Sequence, residues 1–354
     1  MKSDQKKFLT ALLNAPSPSG FEQKASAIFR ERLKGHVDKL IPDIHGNTIT
    51  LLNPKAKFTI MLAGHIDEIG LMITHIDDNG YIYTQQIGGM DPALLVGQRM
   101  QILTDKGIVL GVVGRKAIHQ MTPEDRKKGV TMDNIWIDIG VADKKEALKI
   151  VAIGDPMVVD VECKVLRGDK WISRATDDKV GAYIVAEIMR ELSKKKKQLK
   201  VCVAGVATVQ EEVGLRGATT SCYSVNPNVA IAYDVNFTSD HPETDKKKIG
   251  DVKLGGGPIF HRGGNVNPIL EKELAKTAKK LKMDSQTIGM ARPLGTDANT
   301  MQLSRGGAAT AVISIPNRYM HTPVEVISIT DLDNIVKHSV TFILSHPATR
   351  NYCP

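Results

Sequence analysis

The chain has 354 residues, 42% of them hydrophobic, and a formal net charge of +8. This exceeds the roughly 100 to 200 residues of a usual domain, so a large core with an insertion, or two domains, is expected. The cations lie in runs beside helical patterns with no interleaved aromatic residues, which excludes a nucleic-acid binder; "KKKK" at Lys194 to Lys197 reads as a solvated helix end.

The opening "MKSDQKKFLTALLNAPSPSG" has no uninterrupted apolar run and reads as an amphipathic helix stopping before prolines. "NTITLLN" and "FTIMLAG" follow as strands, the second delivering "GHIDEIG" at its end. From about Leu71 to Cys163 short alternating strands are broken by turn signals such as "DDNG" and "TDKG", the texture of a small β-barrel or sandwich inserted into another domain. Within it, "AIHQMTPEDRKKGVTMDN" reads as a polar, mobile loop.

After the insertion, "DDKVGAYIVAEIMREL" carries Val180, Ile184, Val185, Ile188, Met189 and Leu192 at helical spacing. Strands "VCVAGVATV" and "VAIAYDV", the helical "PILEKELAKTAKKLKM", strand "AATAVISIP" and a last helix within "DLDNIVKHSVTFILSH" complete the chain. Buried strands alternating with helices indicate an α/β fold, a doubly wound sheet interrupted once by the β insertion. Residues 1–70 and 164–354 then form one domain and 71–163 the other. Cys163, Cys202, Cys222 and Cys353 lack metal-ligand spacing and read as reduced thiols, no segment approaches membrane-spanning length, and a cytoplasmic location is expected.

In open α/β sheets ligands bind beyond the carboxyl ends of the strands. Several strands here end in metal-type residues: His65 and Asp67 after "FTIMLAG", Glu211 and Glu212 after "VATV", and Asp234 in "IAYD". His321 follows the strand "ISIP", and "ATDD" places Asp177 and Asp178 before a helix. Each alone is weak, since an Asp before a helix is commonly an N-cap. Together they are hard oxygen and imidazole donors that suit zinc, cobalt or manganese, and so many carboxylates at one edge would repel without cations. The paired Glu211 and Glu212 leave a strand, where neighbours point in opposite directions and can serve different partners.

The motifs "GHIDEIGLM", "DDKVGA", "QEEVGLRGA", "YDV", "GTDAN" and "RYMHTPVE", in this order, resemble those of the TET-type, glutamyl or deblocking aminopeptidases, which are two-metal exopeptidases. The resemblance covers nearly the whole chain, insertion included. It implies that His65, Asp177 and Asp234 hold one metal and that Asp177, Glu212 and His321 hold the other, with Asp177 bridging. It further implies a cis peptide between Asp177 and Asp178, and Asp67 orienting the His65 imidazole. Glu211 would be the general base and then the general acid, free to move protons because it is not a ligand. Short peptides would be the substrates. The insertion would build dimers and a tetrahedral dodecamer, bringing the loop around His119 to a neighbour's active site.

Asp297 in "GTDAN" fits loop architecture and substrate contact equally, while His36, His45, His75, His241, His261, His338 and His346 read as surface or core histidines. A metal-independent, carboxylate-pair glycoside hydrolase is the alternative enzyme, but it leaves the histidines idle. A catalytically silent scaffold is the alternative outside enzymes, and it would predict damage to a ligand set that is intact.

Overall fold

The computed structural model describes residues 1–354. Its main body is built on an eight-stranded mixed sheet ordered Lys39–Pro42, Thr48–Leu52, Cys202–Thr208, Thr59–His65, Val229–Phe237, Ala309–Asn317, Ile259–Gly263 and Gln286–Met290. The four central strands, from Cys202–Thr208 to Ala309–Asn317, run parallel. Antiparallel neighbours close both sides. The outer strands Ile259–Gly263 and Gln286–Met290 escaped the sequence reading, because they are short, carry glycine and lack the continuous apolar run of the central four.

The helix Thr176–Ser193 opens on the polar but buried turn Thr176 to Lys179, and from Val180 to Met189 it is apolar nearly all round and buried accordingly against the sheet. Its approach is set by two glycines: a Cβ on Gly64 would lie 2.4 Å from the backbone carbon of Gly181. Only an unsubstituted strand–helix crossing lets the start of this helix reach the end of the strand Thr59–His65. The Phe8 and Phe29 faces of the two N-terminal helices join the same core cluster of 48 buried residues.

The insertion is a closed six-stranded barrel, ordered Gly70–Ile76, Ile82–Ile87, Ile135–Asp138, Gly107–Arg115, Arg99–Thr104 and Pro156–Val159. It has its own core of 14 buried residues, among them Leu71, Met100, Ile137 and Met157. Alternation on the strand Gly107–Arg115 is inverted relative to a solvated surface, with Ile108, Leu110 and Val112 facing outward 47%, 59% and 51% exposed. The stretch around His119, expected as a mobile loop, instead carries short helical turns at Ile118–Gln120, Pro123–Lys127 and Met132–Asn134. Lys116 paired to Asp125 at 2.7 Å and the Thr122 capping box tie it down. His119 itself is exposed.

All four cysteines are free. No helix is long and apolar enough to cross a membrane. The lysine run follows the last turn of the helix Thr176–Ser193, where Lys194 pairs with Glu191 and Lys196 with Asp38 on the surface.

Candidate metal centre

The carboxyl ends of the parallel strands share one edge, and His65 lies in register with Thr208 across it. Asp234 lies on the adjacent strand Val229–Phe237, and His321 follows Ala309–Asn317. His65, Asp177, Glu211, Glu212, Asp234 and His321 therefore line one cleft. Asp177 is central: its Oδ1 lies 3.1 Å from His65 Nε2 and its Oδ2 lies 3.2 Å from His321 Nε2. The Glu212 Oε2 is 3.6 Å from His321 Nε2, and the Glu211 Oε2 is 3.9 Å from His65 Nε2.

Hydrogen bonds on the far side of each ring fix which nitrogen faces the cleft. His65 Nδ1–H donates to the Asp67 carbonyl at 3.2 Å and His321 Nδ1–H donates to the Gly89 carbonyl at 2.6 Å, which turns both Nε2 atoms to the carboxylates. Gly89 belongs to the insertion, so the barrel contributes to this edge through its backbone. Asp178 lies close to His65 and Asp234, but its oxygens already accept from the Gly181 and His65 amides, at 3.0 and 3.2 Å. A cis peptide joins it to Asp177.

Glu211 and Glu212 lie past the end of the strand Cys202–Thr208, in a turn entered through Gln210 at a φ of 55°. Strand alternation therefore does not separate them, as the sequence reading had it. Asp67 does: its carboxylate accepts from the backbone amide of Glu211 at 3.1 Å and of Glu212 at 3.2 Å, and from the Ser19 hydroxyl at 2.6 Å. One buried carboxylate thus clamps the turn, while Glu211 reaches His65 and Glu212 reaches the space between His65, Asp177 and His321. The Asp67 carboxylate also sits 3.5 Å from His65 Nδ1.

Supporting groups that the sequence reading did not single out complete the frame. Glu325, four residues after His321, accepts from the His321 amide at 3.0 Å, the Asp177 amide at 2.9 Å and the Thr176 hydroxyl at 2.6 Å. Below Asp67, buried Glu68 pairs with Lys179 at 2.6 Å and with Arg174, joining the loop after the first helix to the site. Asp297 is buried behind the cleft, where its Oδ2 accepts from Thr208 Oγ1 at 2.6 Å, in keeping with loop architecture. Left-handed backbone at Ala175, Leu215, Tyr319 and His321 brackets the site, an arrangement that propensity does not reveal.

The electrostatics call for a cation. Burial, with Asp234, Asp297 and Asp177 nearby, pushes Glu211 up to about 10 against the pull of His65. Burial and Asp177 push Glu212 up to about 8, and burial and Asp177 also raise Asp234. His321 rises to about 9 because it bonds to Asp177, whereas Asp177 is held low by both histidines against its burial. Glu212 Oε1 is buried with no hydrogen-bond partner. An orphaned carboxylate oxygen, converging carboxylates and two oriented imidazoles, without thiolates, fit divalent cations of the zinc, cobalt or manganese type.

The sequence pattern described as M42 glutamyl aminopeptidase matches residues 46–337. The lysyl aminopeptidase of Pyrococcus furiosus is 36% identical over 332 residues, covering 92% of this chain and 93% of that protein. Among solved structures, a TET aminopeptidase from a marine-sediment thaumarchaeote aligns with a TM-score of 0.93 at 32% identity, covering 97% of each chain. The TET1 peptidase of Pyrococcus horikoshii, described as assembling into a tetrahedron or a large octahedral shell, aligns at 0.86 and 31% identity over 97% of this chain and 100% of that one. A Thermotoga maritima protein called an endoglucanase aligns at 0.75 over 95% and 96% of the two chains, but at 24% identity the likeness is one of fold.

Proposed function

The chain belongs to the M42 glutamyl aminopeptidase family and is an aminopeptidase, a hydrolase of peptide bonds, and from that premise we propose a dinuclear, metal-dependent mechanism acting on the N-termini of short peptides. The observation that carries it is the central Asp177, flanked at 3.1 and 3.2 Å by two histidines whose other nitrogens are fixed by carbonyls. In this reading His65, Asp177 and Asp234 hold one ion and Asp177, Glu212 and His321 the other. The ions, zinc or cobalt with manganese as a further choice, would supply Lewis acidity toward the scissile carbonyl and the attacking water.

Glu211 takes a proton from that water at a carboxylate oxygen and returns it to the leaving amine. Its side chain accepts no hydrogen bond from the protein, so it is free for this role, and the cations held beside it would favour the ionised form that accepts the proton. Asp67 keeps the base beside the ligand Glu212 by holding both amides, and the His65 ring by its carbonyl. Residues 1–70 and 164–354 form the catalytic unit in this reading. The 71–163 barrel serves self-association into dimers and a tetrahedral dodecamer, placing the loop around His119 beside a neighbour's cleft. The outward Ile108, Leu110 and Val112 stripe supports this, since apolar faces of that kind mark contact surfaces. The reduced cysteines support a cytoplasmic setting.

Purified protein should hydrolyse aminoacyl chromogenic substrates, lose activity on exhaustive chelation and regain it with zinc, cobalt or manganese. Cleavage of N-acetylated substrates at equal rates would refute exopeptidase action, and full activity in metal-free protein, verified by elemental analysis, would refute the mechanism.

A further inference from the structure

The cleft in front of the carboxylates has a second character away from the charged cluster. Phe237, Ile249, Ile288, Met290, Leu294 and Met320 line it, and the one ionisable side chain added to the cluster itself is Lys248. Part of this wall is rigid: Ile288 is buried in a small cluster with Val252 and Ile259, and Met290 packs against that cluster. Phe237 is 52% exposed at the end of the strand that carries Asp234, so a large apolar surface is left facing the cleft.

We propose that this wall receives the side chain of the substrate's N-terminal residue and selects large apolar residues (Leu, Met, Phe) over acidic and basic ones. The proposal rests on the aminopeptidase reading and deepens it. A lysine or arginine side chain would lose hydration against the wall and meet no carboxylate beyond those committed to the centre, and an unpaired buried cation is costly. A glutamate would have Lys248 as its one counter-charge. That residue is exposed on the short helix Lys246–Ile249 beside two further lysines, where it stays hydrated and an ion pair gains little. An apolar side chain meets neither penalty and gains apolar contact with the wall. The selection therefore differs from the glutamyl description of the family and from the lysyl relative alike.

The test compares kcat/KM for Leu, Met, Phe, Ala, Glu and Lys substrates with the metal-reconstituted protein. Leu, Met and Phe should exceed Glu and Lys by at least about tenfold, the low end of pocket discrimination. Binding of Leu-Ala, Glu-Ala and Lys-Ala to the Glu211→Gln variant by calorimetry should give the same order without turnover. Leu294→Glu and Met290→Glu, each checked for a cooperative melt, should raise the Lys-to-Leu ratio about tenfold, while Lys248→Ala leaves the preference for Leu in place. A Glu preference abolished by Lys248→Ala, or a Lys preference in the unmodified protein, would overturn the inference and leave the aminopeptidase reading intact. No hydrolysis of any substrate would sink that reading, and the calorimetric order would then decide the inference alone.

Discussion

At the scale of single residues the site divides adjacent carboxylates by what holds their backbone. Glu211→Gln removes the proposed proton carrier but keeps an amide of the same shape, so kcat should fall at least about 100-fold while both metal equivalents stay bound. Elemental analysis of the variant checks this, and loss of one equivalent would exchange the roles of the two glutamates. Glu325 touches neither substrate nor ion in this scheme, yet it holds the amides of Asp177 and His321. Glu325→Ala should weaken metal affinity about 10- to 100-fold, as loss of ligand-orienting partners commonly does, with Glu325→Gln intermediate. Metal titration followed by calorimetry reads it directly; unchanged affinity would reduce Glu325 to a fold-stabilising group.

At the scale of elements, two contacts are testable. The strand Thr59–His65 and the helix Thr176–Ser193 touch through Gly64, where a Cβ would meet Gly181 backbone at 2.4 to 2.8 Å. Gly64→Ala should therefore cost about 1 to 3 kcal/mol by overpacking, read from the denaturation midpoint, and should weaken metal binding because His65 is its neighbour. In the same core, on the helix Ile329–Ser345 that packs against Thr176–Ser193, His338 donates from Nε2 to the Leu274 carbonyl at 2.9 Å, with Nδ1 buried and unpartnered. Burial depresses it to about 4, against its usual 6.5. The unfolded chain then binds a proton between those values that the folded one refuses, so stability is full above about pH 6.5 and falls as the pH drops toward 4. The loss is on the order of 3 kcal/mol. The drop in melting temperature from pH 7 to pH 4.5 should be smaller in His338→Gln than in the unmodified protein.

For the whole molecule, deleting the barrel is a poor test of assembly, because the Gly89 carbonyl fixes His321 and its loss would disturb the centre as well. A substitution on the outward stripe separates the two roles. Leu110→Glu, on a strand face 59% exposed at that residue, should shift native mass from large assemblies toward dimers or monomers while the monomer keeps its metal. His119→Ala should do the converse, leaving assembly intact and lowering activity if the neighbouring copy's loop borders the cleft. A dodecamer unaffected by Leu110→Glu would place the contact on another face.

The central strands and the long helices were legible because each is an apolar run or a 3.6-residue pattern, written locally in the chain. The donors at the strand ends were legible too, since the parallel connectivity brings consecutive strand ends to one edge whatever the details of packing. The outer strands were not, because pairing decides them rather than any pattern of their own. Nor could sequence show that Asp67 clamps both glutamates, that Glu325 holds the amides of Asp177 and His321, or that a carbonyl from the barrel orients the His321 ring. These are hydrogen bonds between segments remote in sequence, several to backbone atoms that every residue carries alike. The sequence by itself determined which donor groups the chain carries and near which strand ends they lie. The tertiary structure alone decided how those groups face one another, because orientation depends on the three-dimensional path of the chain and on the turns that end each strand.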